Sequence, residues 1–277
     1  MNDAMSPEEY FAKLRQHIEG PDGALEGKKA LIIGIANDQS IAYGSAMAMR
    51  AFGADIAMTY LNEKTKRFTQ DIADRLNVPP ELYLPCDVTK AGEMEAVFAA
   101  IEKHWGKLDI ALHSIAFAPR EDLHGRVVDC SREGFLMAMD VSCYSFIQMA
   151  HLAEPLMTDG GTLFTMTYYG AERVVDNYNV MGPVKAALQA TAMYLAAELG
   201  RKNIRVHPIS PGPIKTRAAS GIGRFDELLE KAAERAPAHM LSTIEDVGLA
   251  TAFLATEYAK LITGDVMYID GGYHIVG

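Results

Sequence analysis

Apolar residues along the chain fall into seven short, nearly continuous runs: KALIIG (29–34), DIAMTY (55–60), ELYLPCDV (81–88), LDIALHS (108–114), GTLFTMT (161–167), IRVHPIS (204–210) and DVMYID (265–270). Each reads as a strand buried on both faces, since a half-exposed strand would alternate with polar residues. Between them lie stretches of helical periodicity at 40–53, 63–76, 91–104, 131–157, 178–200 and 243–256. Strand–helix alternation of this kind predicts a parallel sheet covered on both faces. The expected fold is therefore a single-domain α/β, Rossmann-type doubly wound sheet of seven strands in the order 3-2-1-4-5-6-7. Residues 1–24 are expected to form an N-terminal arm ending near a Gly-Pro-Asp-Gly turn at 20–23. Residues 25–277 form the main body.

Composition narrows the class. The net charge is −10, which argues against nucleic acid as a partner. No run reaches the roughly eighteen apolar residues that would span a bilayer. The N-terminus lacks the apolar core of a secretory signal, so a cytoplasmic location is expected. The three cysteines, Cys86, Cys130 and Cys143, include no C-x-x-C pair, which argues for a reducing compartment and against structural zinc.

In a doubly wound sheet a dinucleotide lies across the carboxyl ends of the strands, with its pyrophosphate at a helix N-terminus. The first junction, Gly34 to Gly44, is longer than G-x-G-x-x-G and lacks its second glycine. Gly34 permits a tight exit from the strand. Ser40 is placed to cap the helix and to meet a phosphate, and Gly44 to let the helix approach the sheet. An ordinary strand-to-helix turn explains the same residues. Asp87 follows the third strand, where a carboxylate can accept from an adenine amino group or cap the next helix. Ser114-Ile115-Ala116 offers small residues beside a cofactor. Pro211 to Thr216 is a stiff turn suited to a nicotinamide carboxamide and, at Thr216, a phosphate. His113 reads as a packed histidine, because no second ligand stands at metal spacing. Tyr60 and Lys64 have a four-residue spacing but sit at the adenosine end, away from any hydride.

Tyr178 and Lys185 are seven apart on the helix expected at 178–200. Seven residues turn about 700°, so the pair shares one face with an axial separation of about 10.5 Å. A four-residue spacing would give about 6 Å. The longer spacing leaves the lysine at a ribose while the tyrosine stands away from the hydride-donating carbon. That suits reduction of an α,β-unsaturated thioester, where hydride reaches the β-carbon but charge develops on the carbonyl oxygen. A ketone reductase would want its acid beside the attacked carbon.

Four segments, HSIAFAP (113–119), TYYGAERVVDNYNVMGPVK (167–185), GPIKTRAASGI (212–222) and DGGY (270–273), resemble the NADH-dependent enoyl-acyl-carrier-protein reductases of bacterial type II fatty acid synthesis. These are divergent members of the short-chain dehydrogenase/reductase superfamily. The resemblance runs from about residue 25 to the end. It implies Tyr178 as the hydrogen-bonding tyrosine, Lys185 as the ribose-binding lysine and Tyr168 as an additional active-site tyrosine. It implies cofactor positions at Gly34, Ser40, Ile41, Asp87, Val88, Ile115, Ile214, Thr216 and Ala218, with Leu61 at the cofactor edge. It implies substrate contact at Ala118, an acyl pocket lined by Met181, Ile222 and Phe225, and a lid over 217–236. NADH is expected over NADPH, because Glu63 in the loop after the second strand would repel a 2′-phosphate, although Lys64, Lys66 and Arg67 oppose it. The implied partner is an acyl carrier protein bearing an enoyl thioester. Apolar residues on more than one face of 131–157 and 178–200, with the habit of the superfamily, imply a homotetramer. A short-chain ketone reductase and a non-catalytic NAD-binding regulator are the rival readings.

Overall fold

The computed structural model describes residues 23–216 and 225–276, without the side chains of 225–228 and 231. Seven strands, β1 (Lys29–Ile33), β2 (Asp55–Tyr60), β3 (Tyr83–Pro85), β4 (Ile110–His113), β5 (Gly161–Met166), β6 (Ile204–Pro211) and β7 (Met267–Ile269), form one sheet. Its order is β3-β2-β1-β4-β5-β6-β7 and every pairing is parallel, as the sequence pattern predicts.

Successive residues of β1 alternate between two cores. Ala30 and Ile32 join one with α1 (Ile41–Ala51), α2 (Glu63–Arg75) and α9 (Ile244–Ala255). Leu31 and Ile33 join the other with α3 (Glu93–Trp105), α6 (Ser145–Ala153) and α7 (Met181–Leu199). Both faces are thus covered, so the strands are mainly apolar and even Arg205 and His207 of β6 are buried.

Four local features depart from the sequence reading. Strand β3 keeps only three residues, because Pro79 and Pro80 open a 3-10 turn and Pro85 cannot donate to a ladder. The helix expected at 131–157 is composite: α5 (Arg132–Met139), a π-turn (Asp140–Tyr144), α6, and a 3-10 turn set by Pro155. Two helices, α4 (Arg120–His124) and α8 (Phe225–Arg235), lie where no helix is expected. Gly44 serves helix–helix packing rather than helix–sheet packing. A Cβ there would stand 2.0 Å from the Ile244 carbonyl oxygen, and one at Gly248 2.2 Å from the Gly44 carbonyl oxygen, so α1 and α9 cross backbone to backbone.

The helix carrying Lys185 begins at Met181 and leaves Tyr178 in the preceding turn. Asn177 (φ 64°) and Asn179 (φ 45°) are left-handed, a conformation that a right-handed helix cannot absorb. Pro183 is the third helical residue, where no intrahelical N–H bond is lost. The one-face rotation and the 10.5 Å rise expected for Tyr178 and Lys185 therefore do not apply.

Candidate active site

A cavity of about 340 Å³ opens at the carboxyl end of the sheet. Its walls are Ser114–Ala118 after β4, Met166–Tyr168 at the end of β5, and Pro211–Ile214 with Thr216 after β6. Tyr178, Met181 and Lys185 close one side, with Leu123 of α4 and Ile41 at the start of α1. Of the residues singled out in the sequence, Ile41, Ile115, Ala118, Tyr168, Tyr178, Met181, Lys185, Ile214 and Thr216 meet there.

Lys185 is almost fully buried, and its Nζ donates to the Met166 carbonyl oxygen at 2.6 Å. Burial disfavours the charged amine and lowers its pKa to about 8. Tyr178 is buried against Tyr168, with ring centroids 5.0 Å apart and planes at 65°. Burial raises both phenol pKa values well above the ordinary tyrosine range, so both hydroxyls stay protonated donors. The Tyr168 hydroxyl is itself buried and has no hydrogen-bond partner among the described residues. Such a group is expensive unless something occupies the cavity beside it.

The phosphate end is built by backbone. Gly34 has φ +113°, and a Cβ on it would stand 2.1 Å from the Ser114 carbonyl oxygen. The loop after β1 therefore lies against the strand that bounds the cavity. Ser40 holds the N-cap position of α1 without making a side-chain cap bond. Its Oγ instead accepts from Ala36 N–H at 3.0 Å and Asn37 N–H at 3.1 Å, folding the loop back on itself. Asp87 is not a helix cap either: α3 starts at Glu93 behind Gly92. Asp87 Oδ1 accepts from the Thr89 amide and hydroxyl, bonds that lower its pKa.

Gly34, Ser40, Leu61, Asp87 and Val88 do not line the cavity. They lie at or after the carboxyl ends of β1, β2 and β3, strands adjacent in the sheet and continuous with β4. Leu61 is half exposed beside Asn62, which caps α2 through a reciprocal bond pair with Thr65. Tyr60 donates its hydroxyl to Glu63 at 3.2 Å. Ala218 and Ile222 lie outside the described residues, as does the side chain of Phe225.

His113 is packed, as its sequence context predicts. It is fully buried, and burial lowers its pKa to about 3, so it is neutral. Ser145 donates to the Val141 carbonyl oxygen, so its oxygen accepts from His113 Nε2–H at 2.7 Å. Nδ1 then accepts from Thr165 at 3.2 Å.

The family model described as enoyl-(acyl carrier protein) reductase matches residues 34–274. The chain belongs to this reductase family. Enoyl-acyl-carrier-protein reductase (NADH) 1 of Rhizobium meliloti is 45% identical over 255 residues, 92% of this chain and 93% of the relative. The corresponding NADH reductase of Bacillus cereus is 45% identical over 253 residues, 91% of this chain and 99% of the relative. Among solved structures, the Anaplasma phagocytophilum reductase in complex with NAD superposes with a TM-score of 0.88 at 45% identity, covering 92% of this chain and 97% of that one. The Bacillus cereus enzyme with NADP+ and indole naphthyridinone gives 0.89 at 44% identity, covering 92% and 99%.

The cavity and its surroundings also contain residues that sequence reasoning passed over. Phe117, Leu123, Met166 and Thr167 line the cavity. Gln189 donates to Thr167 at 3.1 Å and was accessible in principle, since it lies one helical turn beyond Lys185 on the same face. Leu123 carried no signal, because α4 is a short helix inside a polar stretch.

Proposed function

We propose that this protein reduces the carbon–carbon double bond of trans-2-enoyl thioesters carried on acyl carrier protein, with NADH as reductant, in fatty acid elongation. The observation that carries this reading is the meeting of Tyr168, Tyr178 and Lys185 in one apolar cavity at the carboxyl end of the sheet. Family membership and the NADH reductases among its relatives support it.

The residues fit the cofactor. Gly34 lets the loop after β1 pack against the Ser114 backbone at the cavity wall, and Lys185 brings a buried cation to that wall. Gly34, Ser40 and Ile41 would hold the pyrophosphate, Leu61, Asp87 and Val88 the adenosine, and Ile115, Ile214, Thr216 and Ala218 the nicotinamide half. NADH, when bound, supplies the hydride for the β-carbon of the substrate. Lys185 holds the ribose hydroxyls and keeps the local potential positive. Tyr178, kept protonated by burial, donates to the thioester carbonyl oxygen as negative charge develops on it. Tyr168 orients the same oxygen or supports protonation. Ala118, Met181, Ile222 and Phe225 would receive the acyl chain, and 217–236, of which 217–224 lie outside the described residues, would serve as the lid. Water is kept from the reacting carbons by the apolar walls.

We assign the enzyme to the cytoplasm as a homotetramer. Among the described residues no helix is long and apolar enough to cross a membrane. Exposed Phe135, Leu136, Met137, Tyr144 and Ile147 on the α5–α6 segment, with Met193 and Tyr194 on α7, offer the apolar surface that association would cover. Sedimentation equilibrium tests the assembly, and a monomer at micromolar concentration would overturn it. The activity is tested by NADH oxidation with a crotonyl thioester against a panel of ketones. Turnover of ketones alone would overturn it.

A further inference from the structure

The π-turn Asp140–Tyr144 interrupts an otherwise continuous helix where that helix passes the segment after β4. Such turns are rare and concentrate at functional sites. Here the turn carries Ser142, which is fully buried. Its Oγ accepts from Phe117 N–H at 3.0 Å and donates to the Phe117 carbonyl oxygen at 3.2 Å. One hydroxyl thus engages both backbone groups of a single residue.

Phe117 lies in Ser114–Ala118, every residue of which lines the cavity. The segment begins where the β4 ladder ends, so the sheet does not hold it beyond Ser114. The Phe117 side chain is 49% exposed and is a weak anchor. Ser145, just after the turn, fixes His113 at the start of the same stretch. The helix therefore pins this wall twice, at His113 through Ser145 and at the Phe117 backbone through Ser142.

We propose that Ser142 is a positioning residue for the enoyl substrate: its hydroxyl sets the backbone of Phe117, and through it that of Ala118, at the distance from Tyr178 that the thioester requires. The inference rests on the reaction proposed above. Ser142 touches no reacting atom; it acts through the wall.

The experiment compares Ser142→Ala and Ser142→Thr with the wild type. Crotonyl thioester and NADH are varied in turn, amide hydrogen exchange is followed over 114–118, and thermal unfolding is measured. Ser142→Ala is expected to raise the thioester KM about tenfold, as two hydrogen bonds are lost. The NADH KM should change less than twofold, and the Phe117 amide should exchange faster. Ser142→Thr keeps the hydroxyl and should restore the thioester KM and the slow exchange. An unchanged thioester KM in Ser142→Ala, unchanged exchange at Phe117, or parallel loss of both KM values and of thermal stability would overturn the proposal. So would failure of threonine to restore. A wild type inactive on enoyl thioesters would instead sink the proposed reaction, while the exchange data would still decide the clamp.

Discussion

Lys185 Nζ and the Met166 carbonyl oxygen are 2.6 Å apart, so the cation of α7 is tied to the last residue of β5. Burial lowers the amine pKa to about 8 from 10.5. The charge is present below that value and is lost as pH rises through it. NADH affinity should therefore weaken above about pH 8 in the wild type. Lys185→Met should bind NADH weakly at every pH and lack this limb. Between about 8 and 10.5 the unfolded chain holds a proton that the folded site has released, so the contribution of Lys185 to stability rises with pH across that window. Fluorescence titration of NADH from pH 6 to 10 checks the binding claim; a flat profile would refute it.

Tyr178→Phe should leave the NADH KM nearly unchanged and lower kcat/KM for the thioester. One oxyanion donor is worth at most about 2.7–4 kcal/mol. The loss here should be smaller, because an enolate spreads its charge and Tyr168 stands 5.0 Å away, ring to ring. If the variant lost NADH binding while turning over normally per bound cofactor, the tyrosine would belong to the cofactor.

Tyr168→Phe separates folding from function. Its hydroxyl is buried with no partner among the described residues, so removing it should not lower the unfolding temperature and is expected to raise it slightly. Turnover of the enoyl thioester should fall in the same variant. A clear drop in stability would mean that the hydroxyl is satisfied in the folded protein.

Gly44→Ala tests the crossing of α1 and α9. The added carbon would stand 2.0 Å from a backbone oxygen, which no rotamer can relieve. A loss of about 1–3 kcal/mol or more is expected, read by denaturant unfolding. A wild-type midpoint would show that the helices separate freely.

NADH should give a higher kcat/KM than NADPH. Glu63 is held at the end of β2 by the Tyr60 hydroxyl and stands 4.0 Å from Lys66, which pairs away part of its charge. Glu63→Ala should narrow the preference. The relative solved with NADP+ makes this comparison informative, and a higher value with NADPH would reverse the assignment.

The seven mainly apolar runs alternating with helices pointed to a parallel sheet covered on both faces, and the order followed as that of a doubly wound sheet of this class. The motifs likewise pointed to Tyr168, Tyr178 and Lys185, which the structure brings together in one cavity. Tertiary structure decided the rest. Two asparagines in left-handed conformations moved Tyr178 off its helix, and periodicity is blind to a single positive φ. Gly44 found its partner in Gly248, some two hundred positions away, because glycine records the need for closeness but not the neighbour. Ser142 looked like any small helical residue until a π-turn set it against Phe117. Hydrophobic pattern is a local code for burial; which backbone meets which is settled only when the elements pack.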